Sequence, residues 1–202
     1  MKSPNHLQLS PRKIALGALA LIGLLSLVGC VVTSIYPYYT AKDVVFEPKL
    51  VGRWMETEKS SKTNEYWEFT RAGTNDAYTL TVHEGDKETE YQMHLFRLKD
   101  FTFLDGLPME RHDDFVPPHY VLKVSRLEPT LDLALLDYKW LGELLEKQPG
   151  ALRHVVVDAK PGDSGDGQVV LTADTAELQK FILKHAGNTN AFTDGFSLER
   201  QK

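Results

Sequence analysis

Two groups of residues have the types that chemistry needs. The first is His112-Asp113-Asp114 with His119. Imidazole and carboxylate together can serve a general base or a metal ion, so convergence of His112, Asp114 and His119 would make a hydrolytic site. The spacing favours a plainer reading. Asp113 and Asp114 are neighbours rather than one helical turn apart, and Pro117-Pro118 intervenes before His119; a solvated acidic loop has the same composition. The second is Cys30, the only cysteine of the chain. It can form no disulfide within the chain and, once modified, leaves no thiolate for catalysis or metal. Asp163-Ser164-Gly165-Asp166-Gly167 alternates oxygen ligands as Ca²⁺ requires, but it is short and lacks the closing bidentate Glu, so it reads as a turn. His83, His94 and His154 fall in strand-like segments and point either inward or to water. No Gly-x-Ser-x-Gly, phosphate loop or His-Glu-x-x-His occurs. The expectation is a protein without enzymatic residues, metal or cofactor.

The surroundings of Cys30 say more. Residues 1–13 carry Lys2, Arg12 and Lys13 and no acid, and residues 14–29 carry no charge. A basic start followed by a short apolar core is a secretory signal. Leu27-Val28-Gly29-Cys30, where that core ends, resembles the lipobox of bacterial lipoproteins: aliphatic, small or aliphatic, small, then Cys. The resemblance implies transfer of a diacylglyceryl group to the Cys30 thiol, cleavage after Gly29, and a mature chain that begins at lipidated Cys30. Val31 is not the Asp that retains such proteins in the inner membrane, so it further implies an outer-membrane protein facing the periplasm. The other reading of this run is an uncleaved transmembrane helix, since counting on through Ile35 gives about the 20 apolar residues that a bilayer requires. Both readings place the C-terminal domain outside the cytoplasm.

Cleavage leaves 173 residues with 20 basic and 28 acidic side chains, a net charge of −8. That is one domain by size, large enough for a real core. Its acidity argues against nucleic acid, which requires a basic footprint, and gives no electrostatic attraction to an anionic membrane.

Residues 30–49 read as a lipid-anchored tether. Tyr36-Pro37-Tyr38-Tyr39 cannot extend a helix; its rings either sit at the headgroup level or pack on the domain. From Leu50 the period is two. Strands are predicted over 51–56, 65–70, 77–83, 90–98, 101–105, 119–127 and 130–136, with a Pro-punctuated loop at 106–118. A short amphipathic helix comes next, over 138–147. Two more strands, 152–157 and 169–172, flank a flexible loop. Asp174-Thr175-Ala176-Glu177 then opens a last helix as a capping box, stopped by Gly187-Asn188. Residues 50–188 thus form the antiparallel β domain with its C-terminal helix, and 189–202 a tail. The prediction is a mainly β, β-rich α+β fold: an antiparallel barrel or strongly bent sheet with one inserted and one terminal helix.

Gly52-Arg53-Trp54, opening the first strand, resembles the Gly-x-Trp of lipocalins (calycins). The resemblance implies an eight-stranded barrel whose closed end is plugged by Trp54, with Gly52 permitting close approach of the chain. Helix 138–147 departs from the lipocalin pattern. Tyr66, Trp67, Phe69, Tyr78, Tyr91, Phe96, Phe101 and Phe103 can line a pocket or fill it. Two functional readings result: an envelope module holding a hydrophobic small molecule, or one with a filled core that docks a protein partner of the envelope. A hydrolase built on His112, Asp114 and His119 is the third.

Overall fold

The period-two stretches become strands because each buries one face, and here they bury it by closing on themselves. The computed structural model describes residues 31–57, 65–73, 76–110, 116–157 and 168–201. The strands are β1 (Thr33–Ser34), β2 (Gly52–Glu56), β3 (Glu65–Ala72), β4 (Ala77–Glu84), β5 (Lys87–Leu98), β6 (Phe101–Pro108), β7 (Tyr120–Arg126) and β8 (Thr130–Leu136), after which comes helix α1 (Tyr138–Lys147). Then come β9 (His154–Val157), β10 (Gln168–Leu171), helix α2 (Thr175–His185) and β11 (Phe192–Arg200). Eight of the strands form a closed barrel in the order β11-β2-β3-β4-β5-β6-β7-β8, every neighbouring pair antiparallel. This is a lipocalin-like barrel, mainly β, with two helices. Strands β1, β10 and β9 form a separate three-stranded sheet in that order.

Two expectations are corrected. Residues 189–202 are not a tail: β11 pairs with β8 on one side and β2 on the other, and so closes the barrel. Its alternation is hidden by a register shift between Thr193 and Phe196. A bulge flips the face presented on its two sides. Phe192 accordingly packs outside the barrel, while Phe196 and Leu198 pack inside it. The segment read as a tether is also folded. Thr33 and Ser34 pair in parallel with Val170 and Leu171, the Val45 amide donates to the Leu95 carbonyl at 2.8 Å, and Tyr38 and Leu50 are fully buried.

Alternation on the barrel strands separates two cores. Inside the barrel lie Trp54, Phe69, Tyr78, Leu104, Leu131 and Leu198. Outside it, Phe96, Phe103 and Val121 meet Leu141 and Leu145 of α1 and Leu178, Phe181 and Ile182 of α2. Full burial of one such side chain is worth about 1.5–3 kcal/mol, and this second core holds the helices and the small sheet on the barrel. Both helices begin at an aspartate: Asp137 accepts from the Trp140 amide and Asp174 from the Glu177 amide. The Glu177 carboxylate does not complete the expected box; it binds Arg153 at 2.6 Å. Away from the helices the barrel is polar outside, as in the cross-strand row Arg53, Glu68, Thr81 and Glu90. That is the reverse of a membrane-spanning barrel. Among the described residues no helix is long and apolar enough to cross a membrane.

Trp54 of the Gly-x-Trp belongs to the core inside the barrel. Trp54 is fully buried, and its indole N–H donates to the Leu50 carbonyl at 2.9 Å. Gly52 has φ of +134°, a value that favours glycine, and a Cβ there would lie 2.5 Å from the Arg200 guanidinium. Arg200 covers the Trp54 ring at 4.4 Å and donates to the carbonyls of Val51 and Lys49. The last residue of the last strand therefore locks the first. Replacing Arg200 with Ala removes the ring contact and two charge-assisted hydrogen bonds, and should cost about 2 kcal/mol. Urea denaturation should show a lower midpoint with an unchanged slope.

Candidate functional site

Of the predicted His/carboxylate cluster only His119 is described, and the carboxylate beside it is Asp105. His112, Asp113 and Asp114 lie outside the described residues. His119 lies just before β7, and its Nδ1 is 2.8 Å from Oδ1 of Asp105 on the neighbouring strand β6. A carboxylate only accepts, so Nδ1–H donates. The other oxygen of Asp105 accepts the Tyr38 amide at 2.9 Å. Asp105 is completely buried. It falls on the outer face of β6 together with Phe101 and Phe103, whereas Leu104 faces the barrel interior.

Around this pair the N-terminal segment crosses the barrel wall. Ser34 and His119 exchange both backbone hydrogen bonds, at 3.0 and 2.8 Å. Tyr39 stacks on His94 with ring centroids 4.3 Å apart, and His94 sits opposite Asp105 across the β5–β6 pair. Burial holds the His94 imidazole below its ordinary pKa, with Asp105 opposing and His119 reinforcing that shift. Burial, with help from Asp105, pushes the Tyr39 phenol up to about 12. Tyr38 is pushed up further for the same reasons, and its buried hydroxyl has no hydrogen-bond partner. An oriented imidazole beside a buried carboxylate is one half of a general-base arrangement. The nearby Ser34 hydroxyl is engaged elsewhere, accepting from the Tyr36 amide at 3.2 Å. What the geometry does with Asp105 is to clamp residues 34–38 to the barrel.

His83 and His154 do not line the barrel. His83 stacks on Tyr66 at 4.0 Å and approaches Glu88 at 3.1 Å. The Nδ1 of His154 lies 2.9 Å from the Leu152 carbonyl. The acidic loop at 163–167 and the lipobox through Cys30 lie outside the described residues. Among the described residues no group of three or more His, Cys, Asp and Glu is placed to hold a metal ion.

Of the eight predicted rings, Trp67, Phe69, Tyr78 and Tyr91 face the barrel interior, while Phe96, Phe101 and Phe103 belong to the second core. Tyr66 is on the outer wall, under the Arg53 guanidinium. Inside, Trp67, Leu80, Tyr91, Met93, Leu122 and Leu133 surround a cavity of about 40 Å³, with Tyr120 and Val31 also on its lining. Met93 fills the space above Gly106, where a Cβ would come within 2.9 Å of its sulfur. A water needs roughly 10–15 Å³ measured this way, so this cavity has room for about three or four, against the roughly 300–1,000 Å³ of small-molecule pockets. Two larger depressions are also present: one of about 460 Å³ at the β5–β6 and β7–β8 turns, lined by Leu95, Val124 and Leu127 of the barrel core together with charged residues, and one of about 320 Å³ between the end of α1 and α2. Asp105 is the site residue that sequence reasoning missed. Its signal was an acid on the same alternate positions as Phe101 and Phe103 in the run Phe101-Thr102-Phe103-Leu104-Asp105.

Comparison of the chain with protein-family models, with curated proteins and with solved structures gave no match.

The two buried polar groups should respond in opposite ways. Asp105→Ala leaves the His119 Nδ1–H and the Tyr38 amide as two unsatisfied donors and should cost about 2–5 kcal/mol. Tyr38→Phe removes a hydroxyl that bonds to nothing and should leave stability unchanged or slightly raised. Urea denaturation of both variants checks the contrast.

Proposed function

We propose that this protein is a lipid-anchored lipoprotein of the bacterial cell envelope, held through Cys30. On this reading its domain is a non-enzymatic module that acts through its surface, by docking a protein partner of the envelope. The anchor reading is supported by the uncharged run 14–29 ending in Leu27-Val28-Gly29-Cys30. The choice of a surface role over a small-molecule carrier is supported by one observation, the cavity of about 40 Å³ left inside the barrel. A hydrophobic ligand of ordinary size would require Met93 and its neighbours to leave their places. The polar outer face of the barrel supports a domain beside the membrane rather than within it. Val at position 31, where inner-membrane retention calls for Asp, supports outer-membrane attachment facing the periplasm.

Mass spectrometry of the full chain, extracted in mild detergent, tests this reading. The expected mass is that of residues 30–202 plus covalent lipid, the same under native and denaturing conditions, and Cys30→Ser should lack the lipid. A Cys30→Ser protein that still carries acyl mass would overturn the anchor. Extra mass that is lost on denaturation would overturn the filled barrel and favour the carrier.

A further inference from the structure

Resting on the lipoprotein reading, we propose that the domain seats directly on the bilayer, with the outward face of the β1–β10–β9 sheet against the lipid. The first argument is the absence of slack. The backbone of Val31 bridges to Asp137, Thr33 and Ser34 are in β1, and the Ile35 amide donates to the Leu171 carbonyl at 3.1 Å. Consecutive Cα atoms are about 3.8 Å apart, so residue 30 lies within one such step of a fixed point on the domain. Lipid carried by that residue brings the membrane to this place and leaves no tether to hold the domain away.

The second argument is what the surface there is made of. The register Thr33–Val170–Val155 sets one face of the sheet. Residues two apart in a strand share a face, so Val157 lies on that face too, and Ile35 follows directly on β1. Ile35, Val155 and Val157 are 41, 50 and 51 % exposed, and the neighbouring Tyr36 is 46 % exposed. Residues 31–41 and 155–157 include no charged side chain. Arg153, next to this strand, is paired with Asp174 and Glu177. On a domain of net charge −8, an uncharged Val/Ile/Tyr surface beside the anchor is where approach to anionic lipid meets least repulsion, and Tyr36 is of the type favoured at headgroup depth. The occupant is therefore the lipid surface.

The test uses the full lipidated chain. Acylated Cys30 has no free thiol, so a cysteine introduced at Val155 or Val157, or at the control Ser125 at the other end of the barrel, is the only site for a bimane label. The labelled proteins are placed in phosphatidylcholine/phosphatidylglycerol vesicles containing brominated lipid. Quenching at 155 and 157 should exceed that at 125 several-fold. Equal quenching at all three positions overturns the proposal. So does a label at 155 that is shielded from water yet unquenched, which would place a second copy of the chain on this face. Thiol titration of the unlabelled, unfolded parent separates the two levels. One free thiol overturns the lipid anchor and the orientation with it; none, with 155 unquenched, overturns the orientation alone.

Discussion

The Asp105 carboxylate is the interaction on which the relation of the parts depends. It sits in the wall between two cores, fully buried, with one oxygen on His119 and the other on the Tyr38 amide. An unpaired charge there would be very costly, so the residues that pair with it are held in one arrangement. Those residues belong to the N-terminal segment and to the end of the 109–119 connection that leads into β7. Fixing them positions β1, and β1 in turn provides the parallel partner of β10. The three-stranded sheet, the helices packed against it and the path of the chain from residue 31 all depend on where this segment crosses the barrel.

The barrel itself answers two demands. Eight strands enclose a space that side chains can just fill, and Trp67, Leu80, Tyr91, Met93, Leu122 and Leu133 fill it nearly completely. Closure also requires the last strand to reach the first, and Arg200 joins them by lying on Trp54 and binding the carbonyls of Lys49 and Val51. The nearly filled interior is what supports the surface role proposed above. The two cores also explain the division of the rings: on β5 and β6 the alternation sends Phe96 and Phe103 to the helices and Leu95 and Leu104 to the interior.

Much of the architecture was legible because local pattern and global fold agree. The clean alternation of Tyr78, Leu80 and Val82 is the inner face of β4, and the helix predicted over 138–147 is α1. Gly52 and Trp54 are in β2, and Trp54 belongs to the core inside the barrel. Three features were hidden for physical reasons. The bulge between Thr193 and Phe196 breaks the period of β11, so a barrel strand read as a tail. Residues 31–40 hold only two residues of strand and take their order from tertiary contacts, which no local period reports. Strands β9 and β10 read like the barrel strands before them, because strand pattern does not say which sheet a strand joins. Of the candidate site, His119 was legible as a polar residue at a strand start, whereas Asp105 was not. Its value comes from two partners distant in sequence, 14 and 67 residues away.

Among the described residues the chain is already folded at Val31, the first of them. That single feature separates a molecule seated on its anchor from one swinging on a tether. Amide hydrogen exchange of the full chain, read by mass spectrometry or NMR, tests it most directly. The amides of Ser34, Ile35, Tyr38 and Val45 all have backbone or carboxylate partners. They should exchange as slowly as the amides of β4 and β5. Exchange of residues 33–45 at the rate of an unstructured peptide, with the barrel still protected, would contradict the account.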